Sequence, residues 1–236
     1  MAPRIEAGAA KVDGRKRRWH QHKVDRRNEL VDGTLEAIRT RGRDISMDEI
    51  ATEIGVSKTV LYRYFVDKND LTTAVMMRFV QTTLIPNMAA ALSTHLDGFV
   101  LTRELIRVYV ETVAAEPEIY PFVFANSSAG RSKVIADSER IIAGMLAVMF
   151  RRRMQRAGME TKGVEPWAYM IVGGVQLATH SWMSHRRMSS DELIDYLTML
   201  SWSALEGIVE SGGSLERFNS VAHPTPLLPS WIGENP

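Results

Sequence analysis

Ile50-Ala51-Thr52-Glu53-Ile54-Gly55-Val56-Ser57-Lys58-Thr59-Val60-Leu61-Tyr62-Arg63-Tyr64-Phe65-Val66-Asp67-Lys68-Asn69-Asp70-Leu71 is the stretch on which the fold turns. Just ahead of it, Ser46 is followed three residues on by Glu49, the pattern of a capping box, and Ile45 and Ile50 are spaced as a hydrophobic staple. A short helix therefore starts here and runs to about Ile54. Gly55 tolerates the left-handed backbone that a tight turn needs. Val56 and Ser57, followed by Leu61, repeat the staple and cap, so a second short helix runs from Lys58 to about Phe65. Two short capped helices joined by a Gly-containing turn have the proportions of a helix-turn-helix. Ile50, Ala51, Ile54, Val56, Leu61 and Phe65 converge on a small core, which leaves Lys58, Thr59, Tyr62 and Arg63 on the outer side of the second helix. Those four side chains donate hydrogen bonds to phosphates and base edges, the chemistry of a surface that reads a DNA major groove.

Working outward, Val31, Leu35 and Ile38 mark one apolar stripe of a preceding helix from His22 to about Thr40, with Gly42 as its stop signal. Residues 22–70 thus make a three-helix helix-turn-helix domain. Before it, Lys11, Arg15, Lys16, Arg17, Arg18, Lys23, Arg26 and Arg27 face only Asp13 and Asp25. We expect residues 1–21 to be a flexible basic arm, with Arg17 and Arg18 tracking phosphates or entering a neighbouring minor groove. On the other side, Asp67 and Asp70 start a fourth helix that carries Leu71, Ala74, Val75, Val80 and Leu84 until Pro86 breaks or kinks it.

No window alternates apolar and polar residues in strand fashion, and helical spacing recurs near 87–97, 100–115, 118–125, 132–157, 165–185 and 190–211, so the whole chain is predicted all-α. Residues 71–211 form a larger helical domain, and 212–236, with Pro224, Pro226 and Pro229, an extended tail. The helix over 165–185 is apolar around its whole circumference, and the one after it carries several apolar faces. Such a pair either fills a larger monomeric core or buries one side in its own domain and the other against a symmetry mate; the second reading is preferred and gives a four-helix homodimer interface whose candidates are Gly174, Ala178, Ser181, Leu197, Leu200 and Ala204. The chain has 13 methionines, and the central helices bring Met and aromatic side chains together. Tyr109, Phe124, Met145, Met149, Trp167 and Met170 are the candidate walls of an adaptable apolar cavity.

Composition narrows the remaining classes. With 29 Lys plus Arg against 28 Asp plus Glu, the net charge of +1 gives no global field, so any charged partner is recognised locally. The absence of cysteine excludes disulfides, thiolate metal sites and a cysteine nucleophile. The least charged stretch, Pro166 to Ser184, includes Gln176, Thr179 and His180 and falls short of a membrane span; the first twenty residues never build a secretory apolar run. We expect a cytoplasmic protein with no membrane partner. His180 and His185 lack the spacing of a zinc-protease motif, and no nucleophile elbow, phosphate loop or dinucleotide fingerprint occurs, so neither an enzyme nor a cofactor or metal is expected.

The run from Ile50 to Leu71 resembles the N-terminal signature of the tetracycline-repressor (TetR) family of one-component regulators. The resemblance spans about a quarter of the chain with the preceding helix, and the overall length and helical remainder are similar as well. It implies that Lys58, Thr59 and Arg63 face bases or flanking phosphates, that Tyr62 and Tyr64 contact phosphates, and that Lys68 anchors a phosphate at the start of the fourth helix. Ser46 and Ser57, at the two helix starts, join this DNA-facing set. It further implies a ligand-binding and dimerisation domain behind the reading head. The function so implied is a ligand-responsive regulator, a repressor bound as a dimer to a palindromic double-stranded DNA operator and released by an apolar or amphipathic small-molecule effector. A helix-turn-helix protein without an effector, or an all-helical enzyme, are the alternatives. Many members have Gly in place of Thr59 and His in place of Tyr64, so base preference does not carry over from relatives.

Overall fold

The computed structural model describes residues 7–93, 96–120, 122 and 131–223, with side chains from 17 onward except 131–136 and 138. Among these residues there are helices and turns and no strand. Three helices form the first domain: α1 (Ala7–Arg41), α2 (Met47–Glu53) and α3 (Lys58–Tyr64). The capping box forms as expected, Ser46 N donating to Glu49 Oε2 at 2.8 Å and Glu49 N to Ser46 Oγ at 3.3 Å. Gly55 takes φ +69° in the turn, where a β-carbon would be strained. Ile38, Ile50, Leu61 and Phe65 are wholly buried and lock the three helices together.

The front of the chain departs from the expected flexible arm. α1 begins at Ala7, so the basic residues from Lys11 onward lie on a helix continuous with the first helix of the helix-turn-helix. Ala, Lys and Arg are strong helix formers, no proline interrupts residues 7–41, and Gly8 and Gly14 cost about 1 kcal/mol each without ending a helix.

α4 (Lys68–Phe79) is capped by Asp67, whose carboxylate accepts from Asp70 N at 2.8 Å. It runs into a π-helical turn (Val80–Leu84) and then α5 (Ile85–Leu92). Pro86 has no N–H to give the carbonyl one turn back, and the backbone widens just before it, so the proline bends the path without ending it. α6 (Gly98–Ala114), α7 (Arg131–Arg156), α8 (Val164–His185) and α9 (Ser190–Glu210) complete the larger domain. α7 packs on α8, α9 on α6, α5 on α6, and α4 reaches both α1 and α7. The expected extended tail is corrected at its start. Gly212 and Gly213, at φ +61° and +72°, turn the chain into a short α10 (Leu215–Ser220). Glu160 N donates to Gly212 O at 2.9 Å, and a β-carbon on Gly213 would fall 2.3 Å from Glu160 O, so only glycine fits this clasp. No described helix is long and apolar enough to cross a membrane.

Candidate DNA-reading surface and effector cavity

Ser57, Lys58, Thr59, Tyr62 and Arg63 lie together on the open side of α3. Tyr62 is exposed, and the Lys58 ammonium sits 5.8 Å from its ring centre. Lys58 also pairs with Asp48 of α2 at 2.7 Å, a hydrogen bond that raises the ammonium above its ordinary pKa and keeps it charged. The Ser57 hydroxyl accepts from Val60 N at 3.3 Å, and Ser46 is engaged in its capping box, so both serines shape the helix starts before they meet any ligand. Tyr64 does not stand beside Tyr62. It is half-buried against the small core, with the Arg63 guanidinium 5.4 Å from its ring centre, because helix periodicity turns it inward. Lys68, in the first turn of α4, is positioned 5.3 Å from the ring centre of Phe122, and Arg17 and Arg18 are exposed on α1. Arg27, absent from the expected site, donates to Asp70 at 2.9 Å and lies 4.6 Å over the Phe65 ring. It joins α1 to both the reading head and α4.

The larger domain encloses a cavity of about 70 Å³ lined by Tyr109, Met145, Met149, Ile171 and Val175 among others. Tyr109, Ile142 and Val172 are shared with an inner cavity of about 40 Å³, whose wall also includes Met76 and Phe79 of α4 and Val80 and Leu84 of the π-helical turn. Thr102, Met149, Phe150 and Leu205 are shared on the other side with an outer cleft of about 460 Å³, rimmed by Arg153, Trp167, Trp202 and Glu206. Tyr109, Met145 and Met149 are thus cavity residues, and Trp167 belongs to the cleft. Met170 is a correction: it lies 59% exposed on the outward stripe of α8 with Gly174 and Leu177, since a helix apolar on two sides does not reveal by periodicity which side is inner. Phe124 lies outside the described residues. Phe150, one of the aromatic side chains of the central helices, and Val172 also line the cavity; Val172 has no polar or aromatic contrast with plain core. Burial pushes the Tyr109 phenol well up, and that of Tyr120 to about 12.

Between α6 and α7, residues 116–120 touch both domains. Arg39 of α1 donates to both carboxylate oxygens of Glu116, at 2.5 and 3.1 Å, and Glu118 accepts from Arg43 N at 3.0 Å. Ile119 and Tyr120 meanwhile line the inner cavity. Elsewhere on the domain, Leu177, Tyr196, Met199 and Leu200 are exposed on α8 and α9, as are Gly174 and Ser181. Of the expected dimer residues, Ala178, Leu197 and Ala204 are half-buried, and Leu197 packs on its own core.

Residues 30–75 match the family described as bacterial regulatory proteins, tetR family. The HTH-type transcriptional regulator Rv0472c of Mycobacterium tuberculosis is 80% identical over 231 residues, covering 98% of this chain and 99% of its own. The HTH-type transcriptional activator FasR of Mycolicibacterium smegmatis is 25% identical over 186 residues, 78% of this chain and 84% of its own. In fold, a TetR-family structure from Mesorhizobium loti superposes with a TM-score of 0.62 at 20% identity, covering 78% of this chain and 96% of the other.

Proposed function

Because the chain belongs to the TetR family of bacterial transcriptional regulators, we propose that it binds a palindromic operator as a homodimer and releases it when an apolar or amphipathic small molecule fills the cavities of the larger domain. The observation that carries this reading is the double duty of α4 and the π-helical turn. Met76, Phe79, Val80 and Leu84 are wall to the inner cavity, and the same helix is the stalk of the reading head. A ligand shifts an equilibrium only by its difference in affinity for two states, so the effector binds the DNA-incompetent tilt of α4 more tightly. Repression of the bound gene in the unliganded state is the outcome we assign. FasR is named an activator, and the linkage between ligand and operator is the same for either sign of regulation.

Within the reading head, Lys58, Thr59, Tyr62 and Arg63 meet bases and their phosphates, Lys68 holds a flanking phosphate from the α4 N-terminus, and the charges of α1 extend the phosphate contacts. The exposed stripes of α8 and α9 support the dimer, which sets two α3 helices at half-sites in successive major grooves. Such a protein works beside the chromosome in the cytoplasm.

The test begins with an operator selected from random duplexes, followed by titration of operator affinity with straight-chain amphipaths of increasing length, in the parent and in Tyr109→Ala and Met145→Ala. The expected result is loss of operator affinity on ligand binding, weakened in both variants, and a reciprocal loss of ligand affinity when the operator is present. Tight binding of an amphipath in the larger domain with operator affinity unchanged overturns the proposal.

A further inference from the structure

The inner cavity differs in chemistry from the spaces it adjoins. The central cavity is apolar in nearly all its wall, whereas the inner one gathers Tyr109, Tyr120, Glu139 and Gln176 at one place between α6, α7 and α8. The Tyr109 and Tyr120 phenols lie next to each other in its wall. The Gln176 side-chain oxygen is sealed from the surface and has no hydrogen-bond partner. An amide oxygen buried in that way costs about 1–3 kcal/mol unless a donor reaches it, and no alkyl chain supplies one. Glu139 adds a second acceptor and a negative charge. It repels an anionic head group, so an acid enters with its head toward the outer cleft and its tail toward Gln176.

Resting on the reading of the larger domain as an effector domain, we propose that the inner cavity is a recognition subsite for a hydroxyl group at the buried end of the effector, with Gln176 and Glu139 accepting from it and the Tyr109–Tyr120 pair beside it. A hydroxyl both donates and accepts, which suits a wall of two acceptors and two phenols. A pure acceptor such as a ketone leaves Gln176 as it is. An ammonium would have to give up its hydration in this buried corner, a cost that one carboxylate does not offset without further acceptors. The chemical class of the effector is therefore an amphipath hydroxylated at or near its tail. The subsite also borders Met76 and Phe79 of α4 and carries Tyr120 of the segment that clasps α1, so it is the part of the cavity series nearest to the reading head.

The experiment compares alkanoic acids with ω-hydroxyalkanoic and ω-aminoalkanoic acids of matched length, from about ten to sixteen carbons so that a chain reaches from the outer cleft through both cavities, by calorimetric titration of the full chain. Head groups are identical within each set, so the affinity ratio reports the buried end. At the best length the hydroxy acid is expected to bind about five- to tenfold more tightly than the plain acid, the gain of one neutral hydrogen bond to a buried acceptor. In Gln176→Met, of similar length and apolar, the ratio falls to one or below while the plain acid still binds. Glu139→Gln, which retains an acceptor, keeps part of the preference. Equal or tighter binding of the plain acid at every length overturns the subsite and leaves the effector domain standing, as does a preference that survives in Gln176→Met. Tightest binding of the amino acid series overturns the hydroxyl assignment. Failure of every chain to bind or to affect operator occupancy overturns the effector reading and the subsite with it.

Discussion

Replacing Glu116 by Gln, Arg39 by Gln, and both together tests whether residues 116–120 hold the reading head to the larger domain. One guanidinium contact is short, at 2.5 Å, the other ordinary, at 3.1 Å, and the Glu116 side chain is 16% exposed against 41% for Arg39. A fully exposed pair is worth about 0–1 kcal/mol and a charge-assisted bond away from water about 1.5–3. With one partner largely shielded and the other half in water, the coupling should be about 1 kcal/mol, roughly a fivefold effect on the clasped population. The assay is a double-mutant cycle by urea denaturation at low and high salt, because the pair term is isolated only when both single losses are subtracted. Screening should trim the coupling in high salt without abolishing it, since the carboxylate is partly withdrawn from solvent. The same three variants should alter the factor by which a ligand changes operator affinity, as the clasp joins the cavity wall to α1. A coupling indistinguishable from zero, together with unchanged ligand response, refutes the reasoning.

Asp48→Asn removes the carboxylate that competes with phosphate for Lys58, so affinity for arbitrary duplex DNA should rise about two- to fivefold and the salt dependence steepen by up to about one counterion; fluorescence anisotropy across a salt series that shows neither change counts against a phosphate role for Lys58. For Glu139, burial raises the carboxyl pKa, so its folded-state contribution is most favourable below the ordinary value of about 4.3 and is lost as pH rises through the raised one. Glu139→Gln should therefore raise the melting temperature relative to the parent at pH 8 more than at pH 4, and an equal difference at both pH values would contradict the assignment. Leu177→Arg with Leu200→Glu puts charge on the exposed α8 and α9 stripes, and sedimentation at micromolar concentration should find monomer; an intact dimer would place the interface elsewhere.

Local grammar made the reading head readable before any coordinates. Ser46 with Glu49, Gly55, and Asp67 with Asp70 each satisfy orphan amides or a turn within four residues, and such short-range logic survives folding almost unchanged. The helix starts at Asp97 and at Ser189 with Glu192 follow the same rules. Other features were set by partners distant in sequence. Arg39 and Glu116 are 77 residues apart, and nothing near either names the other. Met170 and Met145 read alike as apolar residues of central helices, yet packing turns one outward and the other toward the cavity. In the basic front end helix propensity prevails over charge density, since Ala, Lys and Arg favour a helix wherever no proline stops it. The polar corner of the inner cavity was invisible for a simpler reason: Tyr109, Tyr120, Glu139 and Gln176 come from three helices and a connecting segment, and only their assembly gives any of them meaning.

The π-helical turn at Val80–Leu84 makes the distance between reading head and cavity a matter of phase as well as length. Each residue of an α-helix advances the chain by about 1.5 Å and rotates it by about 100°, and a π turn holds one residue more than the α-helical path it replaces. If α4 and α5 ran as one regular helix of the same length, everything before the turn, including α3, would be rotated by about that angle relative to the exposed stripes of α8 and α9. The stalk therefore resembles a threaded shaft whose single irregular pitch sets the heading of the reading head. Substitutions at the exposed Gln81 should pass unnoticed, and deleting that one residue should let the turn relax to regular α-helix with the heading of the reading head kept, whereas one residue inserted into α4 ahead of the turn should rotate the head by about 100° and change the DNA spacing it meets.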